Sequence, residues 1–191
     1  MRPLLILLLS LALAGCWTGD QLYADSDARS ALVAGLYRVS MPEEKPGEVR
    51  ISNLPNGLTQ MADSDGTGAD IYGFAPLDPR RGTFVAWHDE GKGGGSAKGE
   101  QLYLLGQRRG DGSFVIYVPF CSGAEAQIAR QAGASIEGVG NARHADTCRF
   151  KSRPALENAL RQLQLNDQKR MMTLVLERAD RTKLLRPLGD R

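Results

Sequence analysis

No excess of either charge marks this chain. Lys and Arg number 24, Asp and Glu 22. Only Arg2 among them lies in the first 15 residues, so residues 16–191 keep 23 basic against 22 acidic groups. That balance excludes the basic stripe on which nucleic-acid binding depends. The chain also lacks a bilayer-spanning run at its N-terminus. The apolar stretch from Pro3 to Gly15 has 13 residues, ~20 Å as a helix against a hydrocarbon core of ~30 Å. No repeat of solenoid period and no extended low-complexity tract is present. The glycine-rich stretch from Gly91 to Gly99 lacks a Gly-Lys-Ser/Thr ending and precedes a strand rather than a helix, which excludes a P-loop. Asp63, Asp65 and Asp70 cluster around Gly66 and Gly68, but the further acidic positions of an EF-type calcium loop are missing. A hairpin turn is expected there, and no metal or cofactor.

What the N-terminus does have is a charged start at Arg2, an apolar middle from Leu4 to Leu13 and a small-residue ending. Together these describe an export signal. Ala12-Leu13-Ala14 also fits an ordinary A-x-A cleavage site, which would leave Cys16 as a thiol. The stretch Leu13-Ala14-Gly15-Cys16 resembles the lipobox of bacterial lipoproteins. The resemblance covers the first 16 residues. It implies a diacylglyceryl group on the Cys16 sulfur, cleavage before Cys16 and acylation of the new amine. Trp17, rather than Asp, follows the cysteine, which by the same resemblance implies sorting to the outer membrane, facing the periplasm. Each buried methylene adds ~0.8 kcal/mol, and the two chains of a diacylglyceryl group suffice for stable attachment.

Cysteine parity agrees with this reading. Three cysteines leave an odd one in an exported protein, and lipidating Cys16 leaves a pair. Cys121, His144, Asp146 and Cys148 suit three arrangements: a Cys121–Cys148 disulfide, a zinc site, or a Cys121 or Ser122 nucleophile served by His144 and Asp146. An oxidising compartment favours the disulfide.

Residues 1–15 are expected as the signal, 16–34 as lipid anchor and flexible tether, and 35–191 as one α+β domain. Trp17 and Tyr23 in the tether suit a membrane interface. Strands are expected at 36–39, 48–51, 58–61, 71–74, 83–88, 100–107, 113–118 and 170–177, from alternation and turn signals such as Asn56-Gly57. Gly35-Leu36-Tyr37 resembles the Gly-x-aromatic start of lipocalin-type barrels over those three residues. In Thr83–His88 both alternating sets are apolar. Phe84 and Ala86 face one side, Val85 and Trp87 the other, as in a strand covered on both faces. His88 beside Asp89 and Glu90 is expected as an exposed strand end. Ser122 with Glu125 has capping-box spacing, and Ser152 opens a second helix with Leu156, Ala159, Leu160 and Leu163 on its buried stripe.

The expected architecture is therefore an antiparallel twisted sheet or partly closed barrel with two amphipathic helices. The expected function is a non-catalytic structural or protein-interaction module. Its partners are the membrane, through the anchor, and another envelope component. The alternatives are a lipocalin-like small-ligand binder and, behind it, an envelope hydrolase using His144 or His88.

Overall fold

The computed structural model describes residues 16–41, 45–64, 68–89, 99–138, 146–163 and 173–179. These residues are mostly β, with eleven strands among them in one branched sheet. In chain order they are β1 (Trp17–Asp20), β2 (Gly35–Ser40), β3 (Gly47–Asn53), β4 (Thr59–Asp63), β5 (Ala69–Asp78), β6 (Thr83–Asp89), β7 (Glu100–Arg108), β8 (Phe114–Tyr117), β9 (Ser135–Glu137), β10 (Thr147–Phe150) and β11 (Thr173–Arg178). Helix α1 (Gly123–Gln131) lies between β8 and β9, and helix α2 (Arg153–Gln162) between β10 and β11.

Strands β2 to β8 form an antiparallel meander. The last strand, β11, then pairs with β8 on one side and β2 on the other, so eight strands close into a barrel. The sequence predicts a twisted sheet or partial barrel; the wall is in fact closed. Closure satisfies both edges of the meander, which would otherwise present unpaired amides and carbonyls.

Alternation sorts the side chains into two cores. The barrel interior holds Tyr37, Val49, Ile51, Met61, Phe74, Ala86, Leu104, Phe114, Ile116 and Leu176. The Phe74 and Phe114 rings meet edge to face at 5.7 Å. The second core lies outside the wall, where Val85, Trp87, Tyr103, Leu105 and Tyr117 pack under α1, α2, β10 and the segment around Tyr23. The two-sided apolar pattern of Thr83–His88 is thereby explained: β6 divides the two cores.

One end of the barrel is sealed by the chain before β2. The carbonyls of Ala31, Leu32 and Val33 accept hydrogen bonds from Arg108 Nη2 (2.6 Å), Asn53 Nδ2 (3.1 Å) and the Tyr37 hydroxyl (2.8 Å). Ala31 and Leu32 join the interior core. Irregular backbone survives at a buried position only when its polar groups are paired in this way.

The segment from Trp17 to about Asp27, expected as a tether, is built into the fold. β1 pairs antiparallel with β7 and parallel with β10. Trp17 and Tyr23 are buried against Phe150 (centroids 5.1 Å) and Trp87 (4.9 Å, stacked) rather than set out for a membrane interface. Polar composition suggested a linker, but alternate residues of β1 find apolar neighbours supplied by distant elements. Gln101 adds a backbone-like pair, accepting from Tyr23 N (3.3 Å) and donating to Tyr23 O (2.9 Å). The Tyr103 hydroxyl donates to Asp20 O at 2.6 Å and accepts from Leu22 N at 3.0 Å.

Gly73 sits where the Trp87 indole lies across β5, and a Cβ there would overlap the ring. Overpacking of a well-ordered core costs about 1–3 kcal/mol. Gly73→Ala is expected to lose that much in urea unfolding and to change the near-ultraviolet circular dichroism of the buried tryptophans.

Candidate functional site

Cys121 and Cys148 are joined in a disulfide, with Cα atoms 5.2 Å apart and a sequence separation of 27. It fastens the chain just before α1 to β10. Both cysteines are buried in the outer core. The bond engages both sulfurs, so neither serves as a zinc thiolate or a nucleophile in this state. His144 lies outside the described residues, as does Asp65 of the acidic loop; Asp146 is exposed. Among the described residues, no group of three or more His, Cys, Asp or Glu side chains is placed to hold a metal ion.

The helix next to the bridge starts differently from its sequence pattern. Ser122 makes no side-chain capping bond. The Glu125 carboxylate instead accepts from Phe120 N at 2.6 Å and from the Tyr117 hydroxyl. A carboxylate near a helix N-terminus is favoured by the helix dipole. Here it also ties α1 to the end of β8, a partner that local spacing does not reveal.

Helix α2 is docked through its charged face. Glu157 accepts from Arg153 Nε (2.9 Å), Arg161 Nη2 (2.8 Å) and the Tyr23 hydroxyl (3.0 Å). The Glu157–Arg161 pair has the i, i+4 spacing of neighbours on a helix surface. Arg153 lies over the Tyr23 ring at 4.2 Å and reaches Asp27 at 3.1 Å. Burial opposes ionisation of Glu157, but its hydrogen bonds outweigh burial and hold the carboxyl below its usual range. Burial, then the Glu157 charge, pushes the Tyr23 phenol up, so it stays a donor. Beyond the helix end, a groove of about 1120 Å³ runs outside the wall over Leu77, Leu105 and Leu163. Both arginines on it, Arg81 and Arg161, are ion-paired.

Cys16 is 1% exposed and belongs to the interior core. It bridges to Phe120, and its carbonyl accepts from Cys148 N at 3.2 Å. The next residue facing the same way is Thr18.

His88 is the second departure from expectation. It is 6% exposed, not an exposed strand end. Trp87 faces the outer core, so His88 faces inward, with the Tyr72 ring 5.2 Å away. Its Nδ1 lies 3.0 Å from the Ile71 carbonyl. A carbonyl only accepts, so Nδ1 carries a proton in this contact. Asp70, two residues before Tyr72 on the same face of β5, is half-buried and interacts with the His88 charge. Burial raises its carboxyl above the usual 3.8, and the His88 charge offsets this only in part. Asp70, Tyr72 and His88 thus gather polar groups on the inner wall near the end opposite the seal.

Two outcomes check these assignments. The Cys121→Ser, Cys148→Ser double variant is expected to lose ~3.5 kcal/mol in urea unfolding, by the chain-entropy cost of the released loop. Asp70 has a raised native pKa, so its ionisation penalises the folded state as pH rises above about 3.8. Asp70→Asn is therefore expected to be more stable than the parent at pH 7, with the difference shrinking as unfolding is measured toward pH 4. Comparison with protein-family models, curated proteins and solved structures finds no match to this chain.

Proposed function

We propose that the protein is a membrane-anchored envelope lipoprotein whose barrel acts as a structural or protein-interaction module. The observation that carries this reading is the Cys121–Cys148 disulfide, which leaves Cys16 outside the bridge. Such bonds persist in oxidising compartments such as the periplasm. The lipobox-like Leu13-Ala14-Gly15-Cys16 supplies the anchor, and the Trp17 that follows it favours the outer membrane.

Because β1 starts at Trp17, a lipid on Cys16 would hold the barrel against the bilayer with little spacer. Cleavage before Cys16 makes it the terminal residue. Its sulfur then turns outward if the bridge to Phe120 opens, while the β1 pairings from Trp17 onward hold the wall. Among the described residues, no helix is long and apolar enough to cross a membrane. Attachment in this reading rests on the acyl chains.

A small-ligand reading is favoured by a separate observation. The barrel is sealed at one end by residues 31–33, and near the other end polar groups are buried on its inner wall. Eight-stranded barrels are just wide enough to be filled by side chains or to hold one small ligand. The hydrolase reading has less support. The His88 Nδ1 is engaged by the Ile71 carbonyl, and His144 lies outside the described residues.

Intact-mass measurement of protein from native membranes is expected to show a chain beginning at Cys16 and carrying fatty acyl groups. Cys16→Ser is expected to shift the protein from the membrane fraction to the soluble fraction. An unmodified thiol on membrane-extracted protein overturns the anchor.

A further inference from the structure

Cys16 adjoins both members of the disulfide, yet its side chain lies on the other side of the wall. It bridges to Phe120, the chain neighbour of Cys121, and its carbonyl accepts from Cys148 N at 3.2 Å. Trp17, the next residue, is the register partner of Cys148 in the parallel pairing of β1 with β10. Cys121 and Cys148 belong to the outer core, whereas Cys16 is 1% exposed in the interior core. Successive side chains of a strand point to opposite faces. The pleat therefore holds the third sulfur apart from the other two although their backbones are neighbours. A slip of β1 by one residue would turn Cys16 to the outer face.

That separation has a chemical consequence. A Cys16 thiolate within reach of the bridge would attack one of its sulfurs, form a new disulfide and release the other cysteine as a thiolate, with no outside oxidant or reductant. The wall blocks that approach. Docking also has a steric limit. An eight-stranded barrel takes side chains or one small ligand inside it, and here the interior core occupies that space. Two acyl chains have no room there, so a lipid-bearing Cys16 sulfur cannot keep the place that the thiol holds.

The start of β1 is docked at a cost. Thr18 faces inward with Cys16; across the sheet it pairs with Leu102, Leu102 with His88, and His88 with Tyr72. Thr18 is 6% exposed, and its Oγ1 has no hydrogen-bond partner among the described residues. The Trp17 Nε1 beside it is buried and unpaired in the same way. A buried polar group without a partner destabilises the arrangement that buries it. Withdrawing the Cys16 side chain leaves space for about one water, ~30 Å³, next to the Thr18 hydroxyl. Undocking thus offsets part of its own penalty.

We propose that the docked Cys16 is a latch with two positions. On a thiol the latch closes, and the wall shields the sulfur from the Cys121–Cys148 bond. On a lipid-bearing sulfur it stays open. Lipid attachment therefore precedes docking, and a chain that docks first hides the sulfur that would be modified. The inference rests on the anchor reading above.

The test compares the 191-residue chain bearing an unmodified Cys16, made by cell-free synthesis and folded in a glutathione redox buffer, with lipid-bearing protein from native membranes, both in one detergent. N-ethylmaleimide is expected to label Cys16 of the folded unmodified chain about a hundredfold more slowly than in urea, with Cys121 still joined to Cys148 in the peptide map. Thr18→Val is expected to slow labelling about tenfold further, and Thr18→Ser to label at the parent rate. The Cys148 amide, which donates to the Cys16 carbonyl, is expected to exchange its hydrogen about tenfold faster in the lipid-bearing protein. Labelling at the urea rate, a Cys16 linkage to either other cysteine, or equal Cys148 exchange in the two forms overturns the latch and leaves the anchor standing. A native protein without lipid, seen by intact mass, removes the anchor and the open position together. The labelling of the parent chain decides the closed position even where a variant does not fold.

Discussion

The fold depends on the hydrogen-bond ladders that β11 makes on both of its sides. Until that strand arrives, β2 and β8 are free edges of an open meander. Free edges invite pairing with other chains, and closure removes them. The closing strand follows both helices and the disulfide in sequence. The outer layer is therefore completed in chain order before the barrel. Pairing between β2 and β11 spans most of the domain, which makes it an expensive contact to form in loop-closure entropy. The bridge between Cys121 and Cys148 removes part of that cost by shortening the free chain between β8 and β11.

Strand β7 is the second branch point. Its C-terminal half pairs with β8, and its N-terminal half with β1, while its other edge pairs with β6 throughout. The wall divides there. One branch continues around the barrel; the other, through β1, β10 and β9, forms the outer layer with the helices. Trp17 and Phe150 fill the outer side of this division, and Cys16 and Thr18 face the inner side. Three consecutive residues, Cys16, Trp17 and Thr18, thus connect the proposed anchor, the outer core and the inner wall. The small residue Gly19 allows β1 to lie close to the Phe150 backbone, where a Cβ would collide.

The polar groups of the molecule follow two regimes. Outside the wall, Glu157, Arg153, Arg161, Tyr23 and Asp27 form a saturated network in which each charge has a partner within about 3 Å. Partly exposed pairs of this kind are individually worth little, and their role is to fix the docking of α2. Inside the wall, the buried Thr18 hydroxyl has no partner among the described residues, and burial holds the Asp70 carboxyl above its usual range. Aspartate occurs in both exposed and half-buried settings among the described residues, and its surroundings give it different chemistry.

Local pattern determined much of the framework. Alternation and turn residues located most of the barrel strands, and the 3.6-residue stripe of Leu156, Ala159, Leu160 and Leu163 located α2 with its buried face. The odd cysteine count pointed to the Cys121–Cys148 pair. These properties are legible because they depend on neighbours a few residues away. The closure of the barrel, the conversion of Trp17–Asp20 from expected tether to wall strand, and the burial of His88 depend on partners as distant as β7, β10 and β11. So does Glu125 in choosing the end of β8 over its own helix cap. A strand's alternation says that its two faces differ, but not which one a closed wall will turn inward. Only the tertiary pairing decided that Thr18, Leu102, His88 and Tyr72 form one inward row.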